Sequence, residues 1–321
     1  MEERASLYFH SPCFDGIASS VLTWDFLEVV EQWKIEHLVP VNYELRDTWL
    51  SANLPSPSAV VDFLYHPQAK FWADHHQTTF LSDRARLSFK RRRDPWLIYN
   101  EKAGSCAALL WVHLLERFSY KNPVHEELVK WADKIDAARY DSVEEAVLGD
   151  APALEIRLSL GLADSENYVT DLVAALRHST LEQVVKLPWV KKRIEKARRL
   201  SQAGLKRLAK GSRVEGDIVV FDVNTIGVLI NRYAPYYFHP RARYSIGILR
   251  SAEGAKITAM RNPWWDFPSL PLGKIFERLG GGGHQRVGSL LLPERRSDNA
   301  TGILKTIVAE IRNSDLAAVR S

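Results

Sequence analysis

Three of the four short apolar runs that open this chain lead straight into carboxylates or imidazoles. Residues 5–10 end on His10, followed by Ser11-Pro12-Cys13-Phe14-Asp15-Gly16. The run 59–63 carries Asp62 at its end, and the run 69–73 leads into Asp74-His75-His76. A fourth run covers 35–41, a helical stretch covers 17–30, and the Pro/Ser-rich stretch 54–58 reads as a loop. Apolar strands separated by helical segments predict an α/β fold, a mostly parallel sheet with helices on both faces. In open sheets of this kind, sites form beyond the carboxyl ends of the strands, which is where these acids and histidines fall.

After the strands the sequence turns helical, with suitable periodicity over 104–118, 124–139, 151–160 and 168–177. Asp133 and Asp136 close the second of these. Residues 189–210 read as one long basic helix ended by Gly211-Ser212, a connector in position and polarity; its charges equally read as a solvated surface. Beyond it come strands at 218–223, 244–249, 255–260 and 287–292 and helices at 272–279 and 302–312, a smaller second α/β domain. The expected division is 1–186, a linker helix 187–212, and 213–321. Lys90-Arg91-Arg92-Arg93 reads as an exposed loop.

Charge divides along the same line. Residues 1–185 hold 18 Lys/Arg against 28 Asp/Glu, a balance of −10, and residues 186–321 hold 25 against 11, a balance of +14. An acidic half suits cations and a basic half a polyanion; two solvated surfaces of opposite sign are the plainer reading. No apolar run reaches the ~18–20 residues of a membrane span. The opening MEERASLYFH lacks a secretory pattern, so a cytoplasmic protein is expected. Two cysteines, Cys13 and Cys106, support neither a disulfide framework nor a cysteine-rich zinc site.

Carboxylates and imidazoles gathered without thiolate clusters suit hard or borderline divalent ions such as Mn²⁺ or Mg²⁺. Buried together without a cation they are very costly. Singly, Asp15 before Gly16 also reads as a helix cap and His10 as a structural histidine. Gly280-Gly281-Gly282-Gly283-His284 lies between a helix and a strand. Such a run lets backbone N–H groups approach an anion, with His284 and Arg286 adding phosphate donors; a flexible turn is the alternative. It is neither a Walker loop nor a dinucleotide fingerprint.

The His10…Asp15-Gly16 opening, Asp62, the Asp74-His75-His76 triplet and the late Gly-Gly-Gly-Gly-His together resemble the DHH phosphoesterase superfamily, with its RecJ-type nucleases, nanoRNases and cyclic-dinucleotide phosphodiesterases. The resemblance runs over nearly the whole chain, including the DHH-associated C-terminal domain. It implies metal ligation by His10, Asp15, Asp62, His75 and Asp133, with Asp62 bridging two ions and Asp136 the alternative to Asp133. It implies that Asp74 and His76 support the site and face substrate, that Ser105 caps or contacts the site, and that Arg261, Asn262 and His284 bind substrate. The glycines Gly281, Gly282 and Gly283 and Arg286 join them as anion donors. The sequence departs from the pattern at Cys13, which stands where the family has an aspartate; a hard cation gains little from sulfur, so Cys13 is expected not to be an obligatory ligand.

The implied activity is a hydrolase with two Mn²⁺ ions, Mg²⁺ or another divalent ion being the alternative. Its substrates are short oligonucleotides, nucleotide ends or linear or cyclic dinucleotides. Trp264, Trp265 and Phe267 offer a base-stacking surface or fill the small-domain core. Hydrolysis of pyrophosphate or polyphosphate, or non-catalytic nucleic-acid binding, are the competing functions. No membrane partner is expected, and the sequence leaves the oligomeric state open, a homodimer included.

Overall fold

The structure, a computed structural model, describes residues 3–162 and 166–318. Two compact units form, Met1–Tyr140 with Asp150–Glu195, and Asp141–Gly149 with Lys196–Ser321.

The first unit is built on five strands, β1 (Glu3–His10), β2 (Trp33–Val41), β3 (Ser58–Val61), β4 (Phe71–Asp74) and β5 (Leu97–Tyr99), in the order β2-β1-β3-β4-β5. Every pairing is parallel, so all five carboxyl ends lie along one edge. Interior strands buried on both faces need continuous apolar runs rather than alternation; Ala59, Val60, Val61, Phe71, Trp72 and Ala73 are all fully buried. The helices are α1 (Phe14–Val29), α2 (Asp83–Arg92), α3 (Cys106–Phe118) and α4 (Glu126–Asp136). In chain order there follow α5 (Val143–Leu148) of the second unit, then α6 (Pro152–Leu160), α7 (Glu166–His178) and α8 (Leu181–Val184). The long basic helix is α9 (Pro188–Gly211), and the division between units falls within it, at Glu195/Lys196.

The basic run 90–93 is not a loop. Lys90, Arg91 and Arg92 form the last turn of α2, where cations suit the negative end of the helix dipole, and Ser82 caps its start by accepting from the Ala85 N–H. The run 59–63 is also shorter than expected, because Asp62 leaves the strand with φ +54. Aspartate is among the few residues that take this left-handed conformation readily.

The second unit is a six-stranded mixed sheet of β6 (Ser212–Glu215), β7 (Ile218–Asn224), β8 (Tyr244–Ser251), β9 (Gly254–Arg261), β10 (Gly282–His284) and β11 (Val287–Pro293), ordered β10-β11-β9-β8-β7-β6. Among the described strands of this sheet only β7 and β8 run parallel; the other pairings are antiparallel. Helices α10 (Ala234–Phe238), α11 (Leu272–Arg278) and α12 (Ala300–Ala318) complete it. Its core joins Ile246, Ile257, Phe276 and Leu290 to Leu304 and Ile307 of α12. The second half of the glycine run, Gly282 and Gly283, lies in the edge strand β10. Gly283 has φ +152, and a Cβ there meets the Val287 carbonyl oxygen at 2.1 Å, so the close β10–β11 turn itself demands glycine.

Candidate metal centre

Several elements deliver polar side chains to the carboxyl edge of the parallel sheet. His10 ends β1, Asp15 lies in the first turn of α1, Asp62 follows β3, Asp74 ends β4, and His75 and His76 follow it. Asp136 is the last residue of α4. Gly16 makes the approach of α1 to β1 feasible, since a Cβ there would lie 2.0 Å from the His10 carbonyl oxygen.

The donors form three overlapping groups: His10, Cys13 and Asp62; Asp62, His75 and His76; and Asp15, His75 and Asp136. Within each group one ligand atom per residue lies within 4.8 Å of the others. Asp62 is common to two of them. Its Oδ2 is 3.4 Å from His10 Nδ1, and its Oδ1 is 3.8 Å from both His75 Nε2 and His76 Nδ1. His75 Nε2 is 3.3 Å from Asp136 Oδ2 and 3.7 Å from Asp15 Oδ2.

Neighbouring backbone orients these groups. Asp15 accepts from the N–H groups of Cys106 (2.6 Å) and Ala107 (2.9 Å) at the start of α3, while Ser105 caps that helix through Ala108 N–H. His75 Nδ1 donates to the Ala103 carbonyl at 3.1 Å. A carbonyl can only accept, so the proton sits on Nδ1 and Nε2 keeps its lone pair for a cation. Asp74 Oδ1 accepts from His75 N–H and from His76 Nδ1, both at 2.8 Å, fixing the turn and the imidazole together.

Electrostatics mark the cluster as cation-seeking. Asp62 is 1 % exposed, and neither of its oxygens has a hydrogen-bond partner; buried His10 Nδ1, His75 Nε2 and Asp74 Oδ2 are in the same condition. Unpaired buried carboxylates of this kind are strongly unfavourable. Burial first, and the neighbouring Asp136 carboxylate second, push the Asp15 carboxyl up to about 6. Burial and then the Asp15 charge raise Asp62 as well. Burial and the nearby His76 press His10 down to about 4, leaving a neutral imidazole suited to metal ligation. For His76, burial pulls down, but the Asp74 hydrogen bond and charge outweigh it and the net shift is upward. Orphaned oxygen and nitrogen donors around a shared carboxylate fit a pair of divalent cations.

The structure separates the two aspartates at the end of α4. Asp133 pairs with Arg139 and lies in none of the three groups, whereas Asp136 joins Asp15 and His75. Among the described residues the donor geometry therefore gathers Asp136, the alternative one helical turn on, rather than the expected Asp133. The sequence reading also missed Tyr43, just past β2. Its ring centroid is 5.0 Å from His10, 5.4 Å from Phe63 and 6.3 Å from His76. Its position after a parallel strand was the available signal.

In the second unit, Asn262 is 1 % exposed. Its amide donates to the Pro240 (3.2 Å) and Ala242 (2.8 Å) carbonyls and accepts from Trp264 N–H (3.0 Å). These contacts tie the amide to the backbone of its own unit. Arg261 is likewise buried, donating to the Phe267 carbonyl at 2.9 Å with its guanidinium 4.3 Å from that ring's centroid. Arg286 is exposed, and the backbone of His284 pairs with Val287. Trp264 packs edge-on against Tyr233 and Tyr236, Phe267 against Tyr244, and Trp265 is 43 % exposed.

No family model matches the chain, and no curated protein does. Solved structures do. A pGpG-specific phosphodiesterase, PggH, from Vibrio cholerae superposes with a TM-score of 0.70 at 20 % identity, covering 96 % of this chain and 99 % of that one. The DHH domain of a protein assigned to a family of ribosomal proteins gives 0.58 at 13 %, over 96 % and 87 %. The exonuclease RecJ bound to manganese gives 0.53 at 15 %, over 96 % and 90 %. These likenesses reach across both units, and by them the chain has the fold of the DHH-domain proteins.

Proposed function

We propose that this chain is a divalent-metal-dependent phosphoesterase of the DHH superfamily that hydrolyses dinucleotides or short oligonucleotides. One observation carries the reading: Asp62, fully buried, with two unpartnered oxygens each directed to a different donor group. Asp15, Asp62, His75 and Asp136 would hold one cation, and His10 and Asp62 would contribute to a second. Bound there, divalent cations supply Lewis acidity toward a phosphoryl oxygen and an acidified water.

The chain's own groups do the rest. Asp74 holds His76 in place and favours its protonated form. His76 thereby brings positive charge, and a proton for a leaving oxygen, beside the Asp62 carboxylate. Tyr43 forms an aromatic wall along His10 and His76 against which a base or sugar rests. His284 and the exposed Arg286 are assigned to substrate phosphates, with Arg261 and Asn262 shaping the loop beside them. The nucleotide preference draws on the likeness to PggH, which is specific for pGpG and matches over 99 % of its length.

The test is hydrolysis of pGpG, di- to pentaribonucleotides, a cyclic dinucleotide and pyrophosphate, with Mn²⁺ and with EDTA. Metal-dependent release of mononucleotide from the dinucleotide is expected. Cleavage of pyrophosphate alone would replace this reading with the phosphoanhydride one, and no cleavage of any member would remove it.

A further inference from the structure

The two cation positions are not built from the same chemistry. One gathers Asp15, His75 and Asp136, with an Asp62 oxygen 3.8 Å from His75 Nε2, and offers oxygen and nitrogen only. The other brings together His10 nitrogen, Cys13 sulfur and an Asp62 oxygen. Cys13 directly precedes α1 with an extended backbone, φ −129 and ψ 137. That places its thiol with the His10 group, while Asp15, two residues on, serves the other. Two facing atoms without a hydrogen bond point to a ligand between these three side chains. Asp62 is 1 % exposed and its Oδ2, 3.4 Å from His10, has no hydrogen bond. His10 Nδ1 is buried and likewise has no hydrogen bond.

The geometry points to a mixed sulfur–nitrogen–oxygen metal site at His10, Cys13 and Asp62, taking a borderline ion of the zinc class (Zn²⁺, Co²⁺ or Fe²⁺) rather than Mn²⁺ or Mg²⁺. Thiolate is a soft ligand that selects such ions, whereas carboxylate and water suit Mn²⁺ and Mg²⁺. Ligation replaces the thiol proton by the cation. The centre therefore becomes unsymmetrical, with a thiophilic ion beside His10 and a harder ion beside Asp136. This inference rests on the two-cation reading and reverses the sequence expectation that Cys13 stands aside.

The test uses the full-length chain, stripped of metal and reloaded. With Co²⁺, a thiolate-to-cobalt charge-transfer band is expected in the near ultraviolet. With Zn²⁺, X-ray absorption should show a sulfur neighbour at about 2.3 Å. In dialysis against equimolar Zn²⁺ and Mn²⁺, Cys13→Asp should lower the zinc-to-manganese ratio roughly tenfold or more and abolish the cobalt band. Asp136→Asn should leave that band in place. Metal bound to the wild-type chain with neither band nor sulfur shell overturns the sulfur site while leaving the phosphoesterase reading standing. An unchanged metal ratio in a folded Cys13→Asp protein does the same. A wild-type chain that binds no divalent ion overturns both readings. The wild-type spectra decide the matter even where the variant fails to fold.

Discussion

Asp62 and Asn262 are both 1 % exposed, and each sits just beyond the end of a strand. Asn262 uses its amide on three backbone groups of its own unit. Asp62 uses its carboxylate on none. A buried polar group left unsatisfied costs about 1–3 kcal/mol, and more when charged. A cation that completes such a group removes that cost. In sequence both read as site residues; in the structure one is tied to its own backbone and the other is not.

The hardest strain on this contrast is Asp62→Ala. Loss of the shared carboxylate should lower metal-dependent turnover by about 10³-fold or more and weaken both cation positions. The metal-free protein should melt no lower than wild type, because a buried carboxyl without a hydrogen-bond partner has been removed. Near-normal turnover in that variant would break the assignment.

Next in size is Asn262→Ala. It should cost roughly 2–3 kcal/mol in thermal or denaturant unfolding, from stranded backbone groups at Pro240, Ala242 and Trp264, with manganese affinity unchanged by calorimetry. A raised KM with unaltered stability would instead make Asn262 a substrate contact.

The metal-free protein should also respond to pH in an unusual direction. The folded Asp15 carboxyl titrates at about 6, above its ordinary 3.8, so the folded state holds a proton that the unfolded chain has already lost. This contribution to stability is fully present below pH ~3.8 and is lost as pH rises through about 6. The melting temperature of the metal-free form should carry this downward component between pH 4 and 7. Divalent cations need the ionised carboxylate, so their affinity should fall as pH drops through the same window. A melting profile for Asp15→Asn indistinguishable from wild type over that range would contradict the assignment.

The smallest effect is expected at Asp133. Asp133→Asn breaks a partly exposed pair with Arg139, which is worth about 0–1 kcal/mol, and should leave metal titrations unaltered. Asp136→Asn should weaken binding substantially. The reverse ranking would restore Asp133 as the ligand.

Much of the acidic edge was legible in the sequence because a parallel sheet converts strand ends into neighbours. Three apolar runs fixed the places of His10, Asp62 and the Asp74-His75-His76 triplet without knowledge of any contact. The choice between Asp133 and Asp136 was not legible. The two are three residues apart near one face of α4, and the decision lies with remote groups, Arg139 for one and His75 for the other. Tyr43 was missed for a related reason: its place after β2 was the one signal, and a single aromatic there has no periodicity to strengthen it. The glycine run was legible as a constraint but not as to its cause. In the structure, the nearness of β10 to β11 already requires glycine at Gly283.

The Asp15 carboxylate joins a cation position to the first turn of α3 through hydrogen bonds of 2.6 and 2.9 Å from the Cys106 and Ala107 amides. A cation that draws electron density from this carboxylate loosens both bonds. The two amide protons are thus spectators placed one atom from the chemistry. In a nitrogen–proton correlation spectrum they should shift upfield on loading, reporting occupancy of that position in a protein turning over nothing.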